Sequence, residues 1–226
     1  MTAAKIRAPK IPTVNGREVR TFASTLEASG LGGMQFRLDG YASITGVRYD
    51  MGAYEELIAG GAFDNTLSRR PDVQLLANHE GLPLARTTIP AGQPGHLHLE
   101  EDSRGLHFDA QLDRNDREAQ TVMFKVSAGL LDQCSFAFRV VPGGQEWNDD
   151  YTLRTIREVD LDRGDVSVCN YGASPTTSVV ARSRRRAVAN GLYAYKAHAL
   201  ALRGGNKASI DRTRRLIYLN EAGRRR

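Results

Sequence analysis

The apolar run "LLDQCSFAFRVV", residues 130–141, carries one small hydroxyl, Ser135, between Cys134 and Phe136. Alternate side chains of a strand share a face, so Cys134, Phe136, Phe138 and Val140 belong to the core side and Ser135, Ala137 and Arg139 to the other. A serine placed there, beside a small alanine, is either packed filler or a nucleophile. It attacks a carbonyl only with a base in hydrogen-bond reach and a third group that orients the base. Of the five histidines, His198 lies in the basic C-terminal stretch, and His96, His98 and His107 alternate with apolar residues in the manner of solvent-facing side chains. His79 differs. It ends the apolar stretch "VQLLANHE", where a held backbone can present a side chain to a cleft. An acid comes from "GDVSVCNY", in which Asp165, Ser167 and Cys169 share one face and Val166 and Val168 the other. The chain order His, Ser, Asp is one more permutation of a constellation that works in several orders. Residue types alone leave it open, because a chain of this size has His, Ser and Asp to spare.

Two other chemistries compete. His96, His98 and Glu100 are spaced i, i+2, i+4 on one strand face, which could hold a metal, although a solvated hairpin face is the commoner meaning. A thiol nucleophile is the other rival. Alternation puts Cys134 on the core side, whereas Cys169 shares the face of Asp165.

These residues must be positioned by a mainly β chain with few helices, an α+β class. "MQFRLDGYASIT" alternates like a strand, and "HLHLEEDSRGLHFDAQLD" is a hairpin around "EDSRG". "RNDREAQTVMFKVSAG" predicts the one clear helix, with Asn115 as N-cap, Gly129 as stop and Ala119, Val122, Met123 and Val126 as its apolar face. "LDQCSFAFRVV", "YTLRTIREVDLD" and "GDVSVCNY" predict three further strands. Residues 1–34 read as a polar arm ending in the flexible "ASGLGG", and residues 182–226 as a basic, partly helical tail around a folded region at 35–181.

Composition narrows the class. With 226 residues, 41% hydrophobic and 25% charged, the chain resembles an ordinary globular protein. Its apolar runs are too short to cross a bilayer, so no membrane partner is expected. The N-terminal "MTAAKIRAPKIPTVNG" lacks the apolar core of a secretory signal. Two distant cysteines make no disulfide framework, which points to a reducing cytoplasm. The net charge of +5 is uneven: Arg182–Arg226 holds 13 Lys or Arg against Asp211 and Glu221, while residues 1–181 hold 18 basic and 24 acidic residues. The basic character thus belongs to the tail, whose three tyrosines are too scattered for a base-stacking platform, and no specific nucleic-acid partner is expected.

In order along the chain, "YASITGVRYDMGAYEELIAGGAF", "ANHEGLPLART", "EDSRGLHFDAQLD", "SAGLLDQCSFAFRV" and "EVDLDRGDVSVCNYGASPTTSV" resemble the tailed-phage prohead protease family, capsid-maturation serine proteases similar in fold to herpesvirus assemblin. The resemblance covers about residues 36 to 182. It implies an assemblin-like closed or partly closed β-barrel core surrounded by a few helices. It also implies catalytic His79, Ser135 and Asp165, with no cofactor. Assemblin uses a second histidine as the third member, so Glu158 and Asp160 stay open as rivals to Asp165. Where the family commonly has "PANP", this chain has "GASP" at Gly172–Pro175, a loop whose amides are candidates for the oxyanion site. The implied activity is cleavage of scaffold protein, or of the N-terminal segment of the major capsid protein, inside the procapsid assembling in the host cytoplasm. Self-cleavage in the tail is expected with it. The resemblance leaves a homodimer open. The rival function is an inactive protease-fold scaffolding or capsid-assembly protein.

Overall fold

A computed structural model describes residues 8–24, 26–30 and 35–170. Its elements are β1 (Glu18–Ala23), β2 (Glu27–Ser29), β3 (Gln35–Ile44), β4 (Arg48–Asp50), β5 (Glu55–Ile58), α1 (Asp64–Ser68), β6 (Gln74–Ala77), β7 (Glu80–Arg86), β8 (His96–Glu101), β9 (Gly105–Asp113), α2 (Arg117–Ser127), β10 (Gln133–Val140), β11 (Gln145–Trp147), β12 (Leu153–Ile156) and β13 (Val159–Cys169). Period-two alternation builds the long strands. In β9, Leu106, Phe108, Ala110 and Leu112 are all fully buried, and Leu112 and Ala110 stand opposite the buried Phe36 and Leu38 of the antiparallel neighbour β3.

Nine strands form one sheet in the order β1-β10-β13-β6-β7-β8-β9-β3-β2, and four form a second, β11-β12-β5-β4. The large sheet curls until β1 and β10 approach β3 across the core. Among the described residues its ends, β1 and β2, do not pair with each other, so the sheet is a curled half-barrel. α2 lays Ala119, Val122, Met123 and Val126 into this core. Its N-cap is Asp116, whose carboxylate accepts from the Glu118 amide, one residue later than the expected Asn115; Gly129, with φ 70°, follows its C-terminal end.

Two expectations change. Glu18–Ala23 and Glu27–Ser29, which fall in the range assigned to a polar arm, form β1 and β2. The polarity of β1 misleads because its charges are buried against each other: Arg20 pairs with Glu18 and Glu56, and Arg154 of β12 pairs with Glu18 at 2.6 Å and Glu56 at 2.9 Å. Second, "EVDLD" and "GDVSVC" are one strand, β13, interrupted by a bulge. The tail at 182–226 lies outside the described residues.

Candidate active site

β6 and β7 are joined by only two residues, Asn78 and His79, with Ala77 paired to Glu80 across the turn. Both have positive φ, 54° and 60°, as a tight hairpin turn of the primed type requires. A non-glycine residue in that region costs about 1–2 kcal/mol. The turn is held from the side by β13: the Asn78 amide donates to the Val168 carbonyl at 3.0 Å, and the His79 amide donates to Ser167 Oγ at 3.0 Å. The strain fixes where the imidazole points.

The bulge in β13 aims the acid. Pairing with β10 passes from Arg139↔Asp160 to Ala137↔Asp165, so residues 161–164 stand against Phe138 alone. Arg163 takes φ 56°, and Gly164 packs so tightly that a Cβ there would lie 2.3 Å from the Ala137 carbonyl oxygen. Beyond the bulge, Asp165 and Ser167 stand opposite Ala137 and Ser135, so all share the side of the sheet away from the apolar core.

The three candidates, one from the β6–β7 turn, one from β10 and one from β13, meet. His79 Nδ1 lies 2.5 Å from Asp165 Oδ2, and His79 Nε2 lies 2.6 Å from Ser135 Oγ. A carboxylate at Nδ1 holds the proton on that nitrogen and leaves the Nε2 lone pair facing the serine. Ser167 Oγ donates to the same Asp165 oxygen at 2.8 Å, so one hydroxyl ties the acid to the backbone of the histidine turn. The rival acids lie elsewhere: Glu158 faces Arg69 at 3.7 Å and Asp160 faces Arg139 at 3.9 Å.

Ser135 is more enclosed than the strand pattern suggested. It is 0% exposed, whereas the side chains of His79 and Asp165 keep 23% and 15% of their surface. β1 accounts for part of the enclosure. Thr21 Oγ1 donates to Ser135 Oγ at 3.1 Å, and Ser135 Oγ lies 2.8 Å from the Arg20 carbonyl. The serine has one proton and two acceptors in reach, His79 Nε2 and Arg20 O. Only donation to the histidine leads toward attack. Sequence reasoning missed Thr21, Arg20 and Ser167. The alternation of "EVRTFA" was the available signal for the first two, and the face shared with Asp165 for the third.

Both thiols are placed as inert groups. Cys134 is buried on the core side, and burial drives its pKa far upward. Cys169 is 3% exposed, and burial, with Asp165 adding to it, pushes it up to about 12. Each stays a neutral thiol at physiological pH. In the hairpin, His96 Nδ1 bonds the Ile89 carbonyl at 2.6 Å while His98 sits 3.7 Å from Glu100, and no group of described residues is arranged to hold a metal ion. No helix among the described residues is long and apolar enough to cross a membrane. The loop Gly172–Pro175, the candidate oxyanion site, lies outside the described residues.

Searches of curated proteins and of solved structures found no match. A family model described as caudovirus prohead serine protease matches residues 24–190, which include His79, Ser135 and Asp165 and most of both sheets. With nearly three quarters of its length matched in this way, the chain belongs to the caudovirus prohead serine protease family.

Proposed function

We propose that the protein is a serine endopeptidase of phage head maturation in which Ser135 is the nucleophile, His79 the general base and acid, and Asp165 the group that orients and stabilises the imidazole. The observation that carries this reading is the continuous line Ser135 Oγ, His79 Nε2, His79 Nδ1, Asp165 Oδ2, with contacts of 2.6 and 2.5 Å between residues 56 and 86 positions apart. In the reaction, Ser135 Oγ bonds to the scissile carbonyl carbon while its proton passes to Nε2. The resulting imidazolium is stabilised by Asp165. It then protonates the departing amine, and the peptide C–N bond breaks. Water, deprotonated by the same Nε2, releases the acyl group and restores the serine. The substrates fit the family setting: scaffold protein or the N-terminal segment of the major capsid protein inside the procapsid, and the chain itself.

One observation favours the rival reading of an inactive assembly protein: Ser135 has no exposed surface. Co-expression with a major capsid protein from the same phage, followed by intact-mass measurement, separates the two. The peptidase reading expects a truncated capsid protein with the native chain and a full-length one with Ser135→Ala. Equal processing by both variants, or none by either, sinks it.

A further inference from the structure

A cleft of about 650 Å³ opens against the histidine turn. Asn78 and Glu80, the two neighbours of His79, line it, and so does Asn170, directly after β13. Its floor and walls are aliphatic: Leu82 and Leu84 from β7, Val122 from α2, and Leu130 and Leu131 from the loop before β10. Leu82 and Leu130 are 73% and 65% exposed, and they are two of the four large hydrophobic side chains left open among the described residues. The rim carries Glu80 and Glu118 against Arg117 and Lys125, two acids and two bases, so it has no net sign with which to select a charge. The wall formed by β7 is also a strand edge. Toward β8 it pairs only through Arg86↔His96, which leaves the Glu80–Leu84 backbone without a strand partner on that side among the described residues.

We propose that this cleft is the substrate-recognition site of the peptidase and that it takes an uncharged aliphatic side chain of a peptide bound in extended form along β7. The inference rests on the serine-peptidase reading and adds the substrate class. An extended peptide gains main-chain hydrogen bonds from an open strand edge, and alternate side chains enter pockets beside it. A chain seated on β7 passes the turn that carries His79, so the cleft and the reacting bond lie on one path. Aliphatic occupancy follows from the lining. The exposed leucines gain by being covered, while a charged side chain would be desolvated against them without a dedicated partner.

The test uses the full-length protein and a peptide mixture randomised at every position, with products read by mass spectrometry. Wild type is expected to cleave with an aliphatic preference at one subsite. Leu82→Lys and Leu130→Lys, both at exposed positions, are expected to lower the kcat/KM ratio of aliphatic over acidic peptides at that subsite by about tenfold or more. Leu82→Ser and Leu130→Ser are carried alongside and are expected to weaken the preference without reversing it; they keep the test open should a lysine variant melt. Ser135-dependent cleavage with no aliphatic preference, or with a preference untouched in all four variants, overturns the cleft assignment and leaves the triad standing. Absence of any Ser135-dependent cleavage overturns the peptidase reading and this inference with it.

Discussion

Ser167 gives its proton to Asp165 Oδ2 at 2.8 Å and takes one from the His79 amide at 3.0 Å. It ties the carboxylate of Asp165 to the backbone of His79. Ser167→Ala removes both bonds and leaves the His79 amide without this acceptor in a turn that already holds two strained residues. The expected outcome is a fall in kcat of roughly tenfold to a hundredfold with KM little changed, because misplacement of the imidazole affects the chemical step more than binding. Steady-state kinetics on one peptide, with a thermal melt to show that the fold persists, measures it. Cys169 lies two residues further on the same face, with its thiol held neutral by burial. On the peptidase reading, Cys169→Ala is expected to keep full activity, and cleavage by the native protein to resist alkylating reagents. Loss of cleavage in a folded Cys169→Ala protein would move the nucleophile to sulfur.

At the level of elements, the bulge at residues 161–164 decides where Asp165 points. Gly164 is the residue that lets β13 lie against the Ala137 carbonyl, since a Cβ there would sit 2.3 Å from its oxygen. Gly164→Ala forces the bulge away from β10 and takes Asp165 with it. It is expected to destabilise by about 1–3 kcal/mol and to lower kcat by a larger factor than Gly144→Ala, a tight glycine remote from the triad. Denaturant melts and peptide kinetics on both variants compare the two. β1 is anchored differently, through the buried set Glu18, Arg20, Glu56 and Arg154, two acids and two bases that neutralise one another between the sheets. Arg154→Met leaves two carboxylates sharing one guanidinium in a dry site. A loss of about 3–5 kcal/mol is expected, read from the midpoint shift in urea. β1 carries Thr21 and Arg20 against Ser135, so the same variant also loosens the enclosure of Ser135.

For the whole molecule, the charge imbalance sets the expectation. A tail at 182–226 with 13 basic and two acidic residues follows a body with 18 basic and 24 acidic ones. A basic segment of this kind raises the local concentration of any acidic partner around the protein that carries it, without a new contact at the candidate site. A chain ending at Asn190, where the family match ends, is therefore expected to hydrolyse a short peptide at the full-length rate and to process assembled shells more slowly. The deficit shrinks as salt rises, since screening removes the tether from the longer chain as well. Equal rates on shells at low salt would exclude the tether and leave the active-site assignment untouched.

How much of this was legible in the chain itself follows from the range over which each force acts. Alternation is local, so β3, β9, β10 and the hairpin of β8 and β9 could be read from residue types, and so could the apolar face of α2. The motif order was also enough to suggest the family and to nominate His79, Ser135 and Asp165 by their positions. What residue types could not supply was everything that depends on a partner far along the chain. β1 looked like a polar arm because Glu18 and Arg20 are buried only by virtue of Glu56 and Arg154, which local sequence does not reveal. The unity of β13 was hidden because its bulge at Gly164 breaks the period that identifies a strand. The enclosure of Ser135 was hidden for the same reason as β1, since Thr21 and Arg20 reach it from 114 and 115 positions away. Periodicity specifies which side of a strand meets water or core. Only the packed sheets decide which residues meet each other, because those contacts follow the closure of long loops and the pairing of distant edges.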